Sequence, residues 1–280
     1  MLVAECFTPV APVQAWDSAT HEAITRLAIQ ALPPSPLKQT MTANEAAVER
    51  HSVEPDTILK KEYGEREKHR HYINVEWFGA DPWSALNPNF QAMRRRFSDR
   101  TMNRSGTLPW TIEQVSEQLK SAWSRHDCAS VVRLSGYLAH YVGDASQPLH
   151  STIHFDGYRR DQGVHARIEL AVDHSLDTIE PAAERLTHIE DIGDVWAPTI
   201  AEIRDGYGLV DEVIRDDRAA RDSGDYRGRD YQRAVMREDS AMFARQIGRA
   251  SSVLASIWLY EWRRAGSPGA CSAFREESAD

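Results

Sequence analysis

Residues 138–157, LAHYVGDASQPLHSTIHFDG, decide the fold and hold the densest group of chemically active side chains in the chain. His140 and Asp144 stand four residues apart on an apolar helical run, so the two side chains share one helix face. His150 follows a proline that breaks this helix. An imidazole and a carboxylate buried on one apolar face must satisfy their polar atoms by pairing or by binding a metal.

A second stretch, GVHARIELAVDH at residues 163–174, repeats the four-residue step with His165 and Glu169. Two such helix faces, brought together, offer the nitrogen and oxygen ligands that zinc accepts. For either pair alone, an ion pair between imidazole and acid is the commoner explanation. The presence of both pairs, with His150 between them, favours metal binding.

Further candidate ligands lie upstream, in the segment from Trp16 to His21, at Asp56 after Pro55, and at His71. These residue types, imidazole and carboxylate without thiolate, indicate a multinuclear zinc site and not a closed structural one. The candidate ligands of these types are His21, Asp56, His71, His140, Asp144, His150, His165 and Glu169.

The order of these residues resembles the three-zinc phosphoesterases, which include bacterial zinc-dependent phospholipase C and the fungal single-strand-specific nucleases. The resemblance covers most of the chain from residue 16 to about residue 175. It implies three Zn²⁺ ions per chain and a mature N-terminus at Trp16, whose α-amino group and carbonyl bind one ion. By this resemblance the first zinc is held by Asp56, His71, His140 and Asp144, the second by His150, His165 and Glu169, and the third by Trp16 and His21, with Asp144 bridging the third to the first.

His154 lies four residues after His150 and is its rival as a ligand. The spacing from Asp144 to His150 through QPLH matches the family, so His150 is the predicted ligand. His154 is then expected to contact the substrate or to lie behind the ligands.

The resemblance also implies a hydrolase that acts on phosphoric ester bonds by attack of a metal-bound hydroxide. Asp56 is the predicted catalytic residue, which orients the attacking water or accepts its proton. The sequence has no Gly-x-Ser-x-Gly elbow, no P-loop and no His-Glu-x-x-His helix. Serine hydrolases, NTPases and metallopeptidases therefore lack their usual signatures.

Glu169 favours the phospholipase branch, because the nucleases typically have Asp at that place. Ala19 and Thr57 stand where the phospholipases have the Glu and Tyr of a choline pocket, which argues against strict phosphatidylcholine specificity. The leading prediction is a phospholipase C-like enzyme that cleaves a phospholipid or related phosphoester. The alternatives are a single-strand-specific nuclease that releases 5′-phosphates and, from another class, a structural zinc protein without turnover.

The formal net charge of −9 argues against a tight nonspecific clamp on nucleic acid, since such binding draws mainly on Lys and Arg. The expected partner is a phosphoester substrate, either a phospholipid or a single-stranded nucleic acid. Transient contact with a membrane surface is expected, and a stable protein partner is not. The apolar run at residues 251–260 is about half a membrane span and predicts a buried helix.

Residues 1–15, MLVAECFTPVAPVQA, are similar to the end of a signal peptide with a small-residue cleavage pattern. They lack a charged n-region, so the predicted export signal is truncated, and the alternative is a disordered arm. Export predicts a secreted or periplasmic protein, in which Cys128 and Cys271 can form a disulfide. Two free thiols are equally compatible with the sequence, which does not give their separation in space.

Helical periodicity dominates the rest of the chain, and no β pattern of useful length is present, so we predict an all-α fold. The expected architecture is a single-domain multi-helix bundle with a trinuclear zinc site. The domain is predicted to cover residues 16–265, followed by a disordered tail at 266–280. Helices are predicted from residue 17 or 18 to 32, over about 41–51, 110–125, 130–144, 163–174, 192–207 and 229–264, with an extended segment at His71.

Overall fold

The computed structural model describes residues 18–222 and 228–273. Over these ranges the chain forms helices and connecting turns without a strand, which confirms the all-α prediction. One turn of π-helix spans Pro55–Leu59, and 3₁₀ turns span Val75–Phe78 and Pro148–Ser151. The α-helices are α1 (Ser18–Ala31), α2 (Pro36–Ala43), α3 (Glu45–Glu54), α4 (Lys60–Tyr63), α5 (Glu65–Lys68), α6 (Pro82–Ala85), α7 (Phe90–Arg96), α8 (Asp99–Ser105), α9 (Leu108–Ser124), α10 (Cys128–Ser146), α11 (Val164–Asp173), α12 (Leu176–Leu186), α13 (Trp196–Gly208), α14 (Val210–Asp222) and α15 (Arg229–Arg264).

Helix α10 is the central element, because α1, α3, α9, α13 and α15 all pack against it. Its N-terminus is capped by the Asp127 side chain, which accepts a hydrogen bond from the Ser130 amide. Apolar side chains on several faces, including Leu138 and Val142, are fully buried. As a result His140 and Asp144 lie in the interior of the protein, each with no exposed surface.

Two glycines of α10 allow neighbouring helices to approach closely. A Cβ at Gly136 would lie 2.4 Å from the His51 Cβ on α3, and a Cβ at Gly143 would lie 2.8 Å from His21 Nδ1 on α1. Such distances are far below van der Waals contact, so a larger residue would push the helices apart. Gly143 therefore makes the space in which His21 lies beside Asp144.

The helix predicted over 41–51 has different bounds in the structure, because the chain breaks at Asn44 between α2 and α3. The Asn44 side chain donates to the Thr40 carbonyl and so satisfies a group at the end of α2. Helix α3 then runs into the π-turn, which holds one extra residue per turn. This local widening changes the direction of the side chains that follow Pro55, and Asp56 is the first of them.

The sequence predicts an extended segment at His71, but in the structure residues 69–71 form a turn and a bend, and residues 72–74 lead without helix into the 3₁₀ turn at Val75. The Ile73 amide donates to the His150 carbonyl at 2.8 Å, and the Asn74 amide donates to the Ser105 carbonyl at 2.6 Å. The first bond joins the residues after His71 to the His150 turn, and the second joins them to the end of α8. Two predicted ligands that are distant in sequence are thereby held side by side.

Helix α15, 36 residues long, forms a wall of the core together with α12 and α14. Trp123, Phe243 and Trp258 are among the largest fully buried side chains. The segment predicted as a buried helix at 251–260 lies within α15 and is almost entirely buried. In the described part of the chain, no helix combines the length and the apolar character needed to cross a membrane.

Cys128 and Cys271 form a disulfide with a Cα–Cα distance of 5.6 Å, so they are not two free thiols. Cys271 is buried, and its amide donates to Thr40 Oγ1 at 2.8 Å. The prediction of a disordered tail from residue 266 therefore does not hold for residues 266–273, because the disulfide and this bond attach them to α10 and α2. The rest of that predicted tail, the predicted leader at 1–15, and Trp16 lie outside the described residues.

Removing this disulfide is expected to destabilise the fold. The bond joins residues 143 positions apart, and closing so long a loop restricts the unfolded chain strongly. We expect the double substitution Cys128→Ser and Cys271→Ser to lower the free energy of unfolding by roughly 2–5 kcal/mol. Urea unfolding monitored by circular dichroism measures this change, with Ser272→Ala as the neighbouring control. A double variant as stable as the wild type would contradict the expectation.

Glu202 on α13 predicts a pH dependence of stability. Its side chain is buried, Oε2 accepts from Arg249, and Oε1 makes no hydrogen bond. Burial raises the pKa of Glu202 to about 7, against the attraction of Arg249. The folded state thus holds the proton more tightly than the unfolded chain, so the free energy of unfolding falls as the pH rises from the ordinary Glu pKa towards 7. Glu202→Gln should remove this loss, so between pH 5 and pH 8 its free energy of unfolding should rise by roughly 1–3 kcal/mol relative to the wild type, as measured by urea unfolding. If the free energy of unfolding depends on pH in the same way in both proteins, Glu202 is not the cause.

Candidate metal centre

Four predicted ligands converge where the π-turn, the bend at His71 and α10 meet. His140 Nε2 lies 2.9 Å from His71 Nδ1 and 3.3 Å from Asp144 Oδ2. His71 Nδ1 lies 3.0 Å from the same Asp144 oxygen. Asp56 Oδ1 lies 3.3 Å from His71 Nδ1 and 3.7 Å from His140 Nε2. The structure therefore brings together the four side chains that were predicted to share the first zinc.

Three further predicted ligands converge between α11 and the 3₁₀ turn. His150 Nε2 lies 2.9 Å from His165 Nε2 and 3.4 Å from Glu169 Oε1. His165 Nε2 lies 2.8 Å from the same Glu169 oxygen. His154 is half-buried, its ring lies tilted against Tyr158 with centroids 4.5 Å apart, and it belongs to neither group.

Asp144 connects the two groups and also reaches His21. Its Oδ2 atom faces His71 and His140, while Oδ1 lies 3.2 Å from His150 Nδ1 and 3.7 Å from His21 Nε2. The His21 ring stacks on the His140 ring with centroids 4.0 Å apart. Asp144 is thus positioned to bridge the ligand groups on either side of it. Trp16, which is predicted to bind a metal together with His21, is outside the described part of the chain. We call the eight described side chains the metal centre; they are His21, Asp56, His71, His140, Asp144, His150, His165 and Glu169.

Several buried atoms of the metal centre make no hydrogen bond. They include both ring nitrogens of His21, Asp144 Oδ1 and Glu169 Oε2. Buried polar atoms are nearly always bonded, so their concentration here needs a partner of another kind. Imidazole nitrogens and carboxylate oxygens that face one another at ligand spacing fit zinc.

The electrostatics of the metal centre favour added positive charge. Burial alone would raise the pKa of Asp144, but the His140 and His150 rings hold it well below its ordinary value. Burial lowers the pKa of His150, yet Asp144 and Glu169 raise it to about 10. Without a metal, protons on the His140 and His150 rings offset the charge of the carboxylates. A divalent cation would displace those protons, as metals generally do when they bind such groups.

Residues behind the ligands orient them, and sequence reasoning missed these. His140 Nδ1 lies 2.8 Å from the Ser52 carbonyl, and His71 Nε2 lies 3.5 Å from Glu67 Oε1. The buried Glu67 also accepts from the Tyr141 hydroxyl. These contacts hold the rings so that His140 Nε2 and His71 Nδ1 face the metal centre. Glu67 and His71 have the same four-residue spacing as His140 and Asp144, but His71 lies beyond the end of α5, so helix periodicity alone does not predict this contact.

Glu67 is therefore expected to control zinc affinity without contacting the metal. Glu67→Gln keeps the shape of the side chain and removes the charge that favours the N–H on His71 Nε2. We expect zinc affinity to fall by roughly 10- to 100-fold, which competition with a chelating dye would measure. Glu65→Gln, an exposed acid on the same helix, is the matched control. Equal affinities in the two variants would contradict this role.

A cavity of about 250 Å³ opens beside the metal centre, with His71, His150 and His165 in its wall. Its remaining lining consists of Lys60, Lys68, Tyr72, Asn74, Leu149 and Phe155. The cavity thus combines two ammonium groups with apolar and aromatic surface. It can hold an anionic group near the metal centre and an apolar or aromatic group beside it.

Asp56 has a contact that the sequence did not predict. Lys60, one helical turn later, forms an ion pair with Asp56 Oδ1. Burial would raise the pKa of Asp56, but His140, His71 and Lys60 together lower it to about 2. A carboxylate with so low a pKa is a poor proton acceptor, so the surroundings favour binding and orientation by Asp56 over general-base chemistry.

Comparison with known proteins gives a family match and a fold match. Residues 20–205 match the family described as zinc-dependent phospholipase C. The alpha toxin of Clostridium absonum has the same fold, with a TM-score of 0.50 and 13% identity over 91% of this chain and 67% of the toxin. For the alpha-toxin of Clostridium perfringens the TM-score is 0.49, with 13% identity over 91% and 66%. A probable serine protease of Bradyrhizobium tropiciagri is 34% identical over 58 residues, which are 21% of this chain and 7% of that protein.

Proposed function

Since the chain belongs to the zinc-dependent phospholipase C family and is a hydrolase of phosphoester bonds, we propose that it cleaves phospholipids on the glycerol side of the phosphate. Water adds to phosphorus and the bond from phosphorus to the glycerol oxygen breaks. The attacking water loses a proton to solvent, and the glycerol oxygen gains one. The products are a diglyceride and a phosphorylated head group.

The main support for this proposal is one observation: buried ligand atoms without hydrogen-bond partners converge beside a cavity that is lined by lysine and apolar side chains. We propose that the metal centre holds three zinc ions with the ligand sets predicted above. Zinc bound there supplies Lewis acidity that activates water and offsets phosphoryl charge. Asp56 orients the water, Lys60 and Lys68 attract the phosphate, and Leu149 and Phe155 exclude water beside the scissile bond.

A single-strand-specific nuclease is the second candidate, and the composition of the same cavity favours it. Tyr72 and Phe155 could stack on a base, while Lys60 and Lys68 could bind neighbouring phosphates. The net charge of −9 and the presence of Glu169 make the nuclease the less favoured of the two candidate functions.

Parallel assays on one zinc-loaded protein test the two candidates. The chain is expressed with Trp16 as the first residue, its zinc is counted by atomic emission, and it is assayed on phospholipid vesicles of several head groups and on single-stranded DNA. EDTA and the Asp56→Asn variant are the controls. We expect release of phosphorylated head groups that both controls abolish. Mononucleotide release without any phospholipid product would favour the nuclease and overturn the proposal.

We also propose that the protein is exported. The Cys128–Cys271 disulfide supports this, because disulfides persist mainly in oxidising compartments outside the cytoplasm. Fractionation of the producing cells with free-thiol labelling tests it. Protein retained in the cytoplasm with both thiols reactive would contradict export.

A further inference from the structure

Asp239 on α15 is a buried carboxylate, and one of its two oxygens has no hydrogen-bond partner. Its side chain is 1% exposed, and its Oδ2 atom has no hydrogen-bond partner. Unsatisfied buried carboxylate oxygens also occur in the metal centre, at Asp144 and Glu169. A buried carboxylate without a donor is strongly unfavourable unless it is protonated or binds a cation.

Two more carboxylates face Asp239 from α14. Glu212 and Asp216 stand four residues apart and share one face of that helix. One ligand oxygen from each of the three acids lies within 4.8 Å of the others. Arg215 pairs with Asp216 at 2.7 Å and approaches Glu212 at 3.7 Å, so one arginine offsets only part of three negative charges. Burial, the charge of Asp216 and a side-chain hydrogen bond with Asp216 together raise the pKa of Asp239 to about 8.

We propose that Glu212, Asp216 and Asp239 form a calcium site, separate from the zinc centre, that fastens α14 to α15. Oxygen donors without imidazole or thiolate select a hard cation. Three carboxylates suit Ca²⁺ better than Mg²⁺, which usually keeps its waters and takes one or two carboxylates. Glu212 is exposed and Asp216 is half-buried, so waters can complete the coordination from the solvent side.

The position of this calcium site gives it a structural consequence. Asp217, the next residue on α14, accepts two hydrogen bonds of 2.8 Å from Arg167 on α11. Arg167 lies between His165 and Glu169, so α14 supports the helix that carries two residues of the metal centre. Fixing α14 to α15 with a cation would therefore stiffen the support of that helix.

Thermal unfolding of the zinc-loaded full chain with and without millimolar CaCl₂ tests the site. We expect calcium to raise the Tm of the wild type by roughly 5 °C or more, and to have no such effect on Asp239→Asn or Glu212→Gln. Glu212 is exposed, so its variant should fold even if Asp239→Asn does not. Asp230→Asn, an exposed acid on α15, is the matched control and should keep the full shift. Equilibrium dialysis with radioactive calcium should show one more bound ion per chain in the wild type than in Glu212→Gln, with the zinc count unchanged.

Other outcomes would overturn the proposal. If the wild type neither binds calcium nor gains in Tm, there is no calcium site. If, in addition, Asp239→Asn is more stable than the wild type at pH 8, Asp239 and Asp216 share a proton instead. A calcium shift of equal size in Glu212→Gln and in the wild type would place the ion elsewhere. Neither outcome depends on phospholipid hydrolysis, so the calcium site and the proposed function fail independently.

Discussion

Asp144→Asn should abolish hydrolysis almost completely, with a loss of roughly a thousandfold or more in kcat/KM on the phospholipid substrate proposed above. Asp144 is the one described residue of the metal centre that lies within 4 Å of His21, His71, His140 and His150 together. An amide keeps the shape of the side chain, but it replaces one oxygen by an N–H group that repels a cation. The change should therefore weaken metal binding on both sides of the bridge at once.

The measurement pairs steady-state kinetics with a zinc count by atomic emission. The variant should hold fewer zinc ions than the wild type after dialysis, while its far-UV circular dichroism stays the same. Asp99→Asn, an exposed acid on α8, is the control and should leave both quantities unchanged. Full zinc content with full turnover in Asp144→Asn would remove Asp144 from the metal centre.

Local spacing was sufficient to predict the helices that carry most of the metal centre. The step from His140 to Asp144 and the step from His165 to Glu169 each fix one helix face, and a buried face with such groups has few physical solutions. The convergence of these faces with Asp56 and His71 came from resemblance, because spacing within a helix says nothing about which helices meet. The geometry now shows that they do meet.

Other features could not be predicted because they depend on contacts between distant segments. The disulfide joins residues 143 positions apart, and the sequence left two free thiols as an equal alternative. The π-turn after Pro55 changes the direction of Asp56, yet a helical pattern of 3.6 residues does not reveal one inserted residue. In the sequence, Asp239 looks like an ordinary polar residue of an amphipathic helix. Its proximity to other acids follows only from the packing of α14 against α15.

The second large effect concerns the N-terminus proposed at Trp16. His21 is almost fully buried, and neither of its ring nitrogens makes a hydrogen bond. Burial and the neighbouring His140 lower the pKa of His21 well below its ordinary value, so the ring is neutral and available to a metal. Gly143 leaves just enough room for it beside Asp144. His21 and one oxygen of Asp144 are too few ligands for zinc, and a free α-amino group at Trp16 would add the missing donors.

We therefore expect a protein that begins Met-Trp16, with the methionine retained, to lose one zinc ion per chain and at least about tenfold in kcat/KM relative to the protein that begins at Trp16. Mass spectrometry must verify both N-termini before the comparison. The added methionine moves the amino group one residue away while every side chain stays the same, so the two proteins should unfold at similar temperatures once zinc is removed by EDTA. If the extended protein keeps its full zinc content and its full turnover, the α-amino group is not a ligand, and His21 must bind the third ion with other donors or bind none.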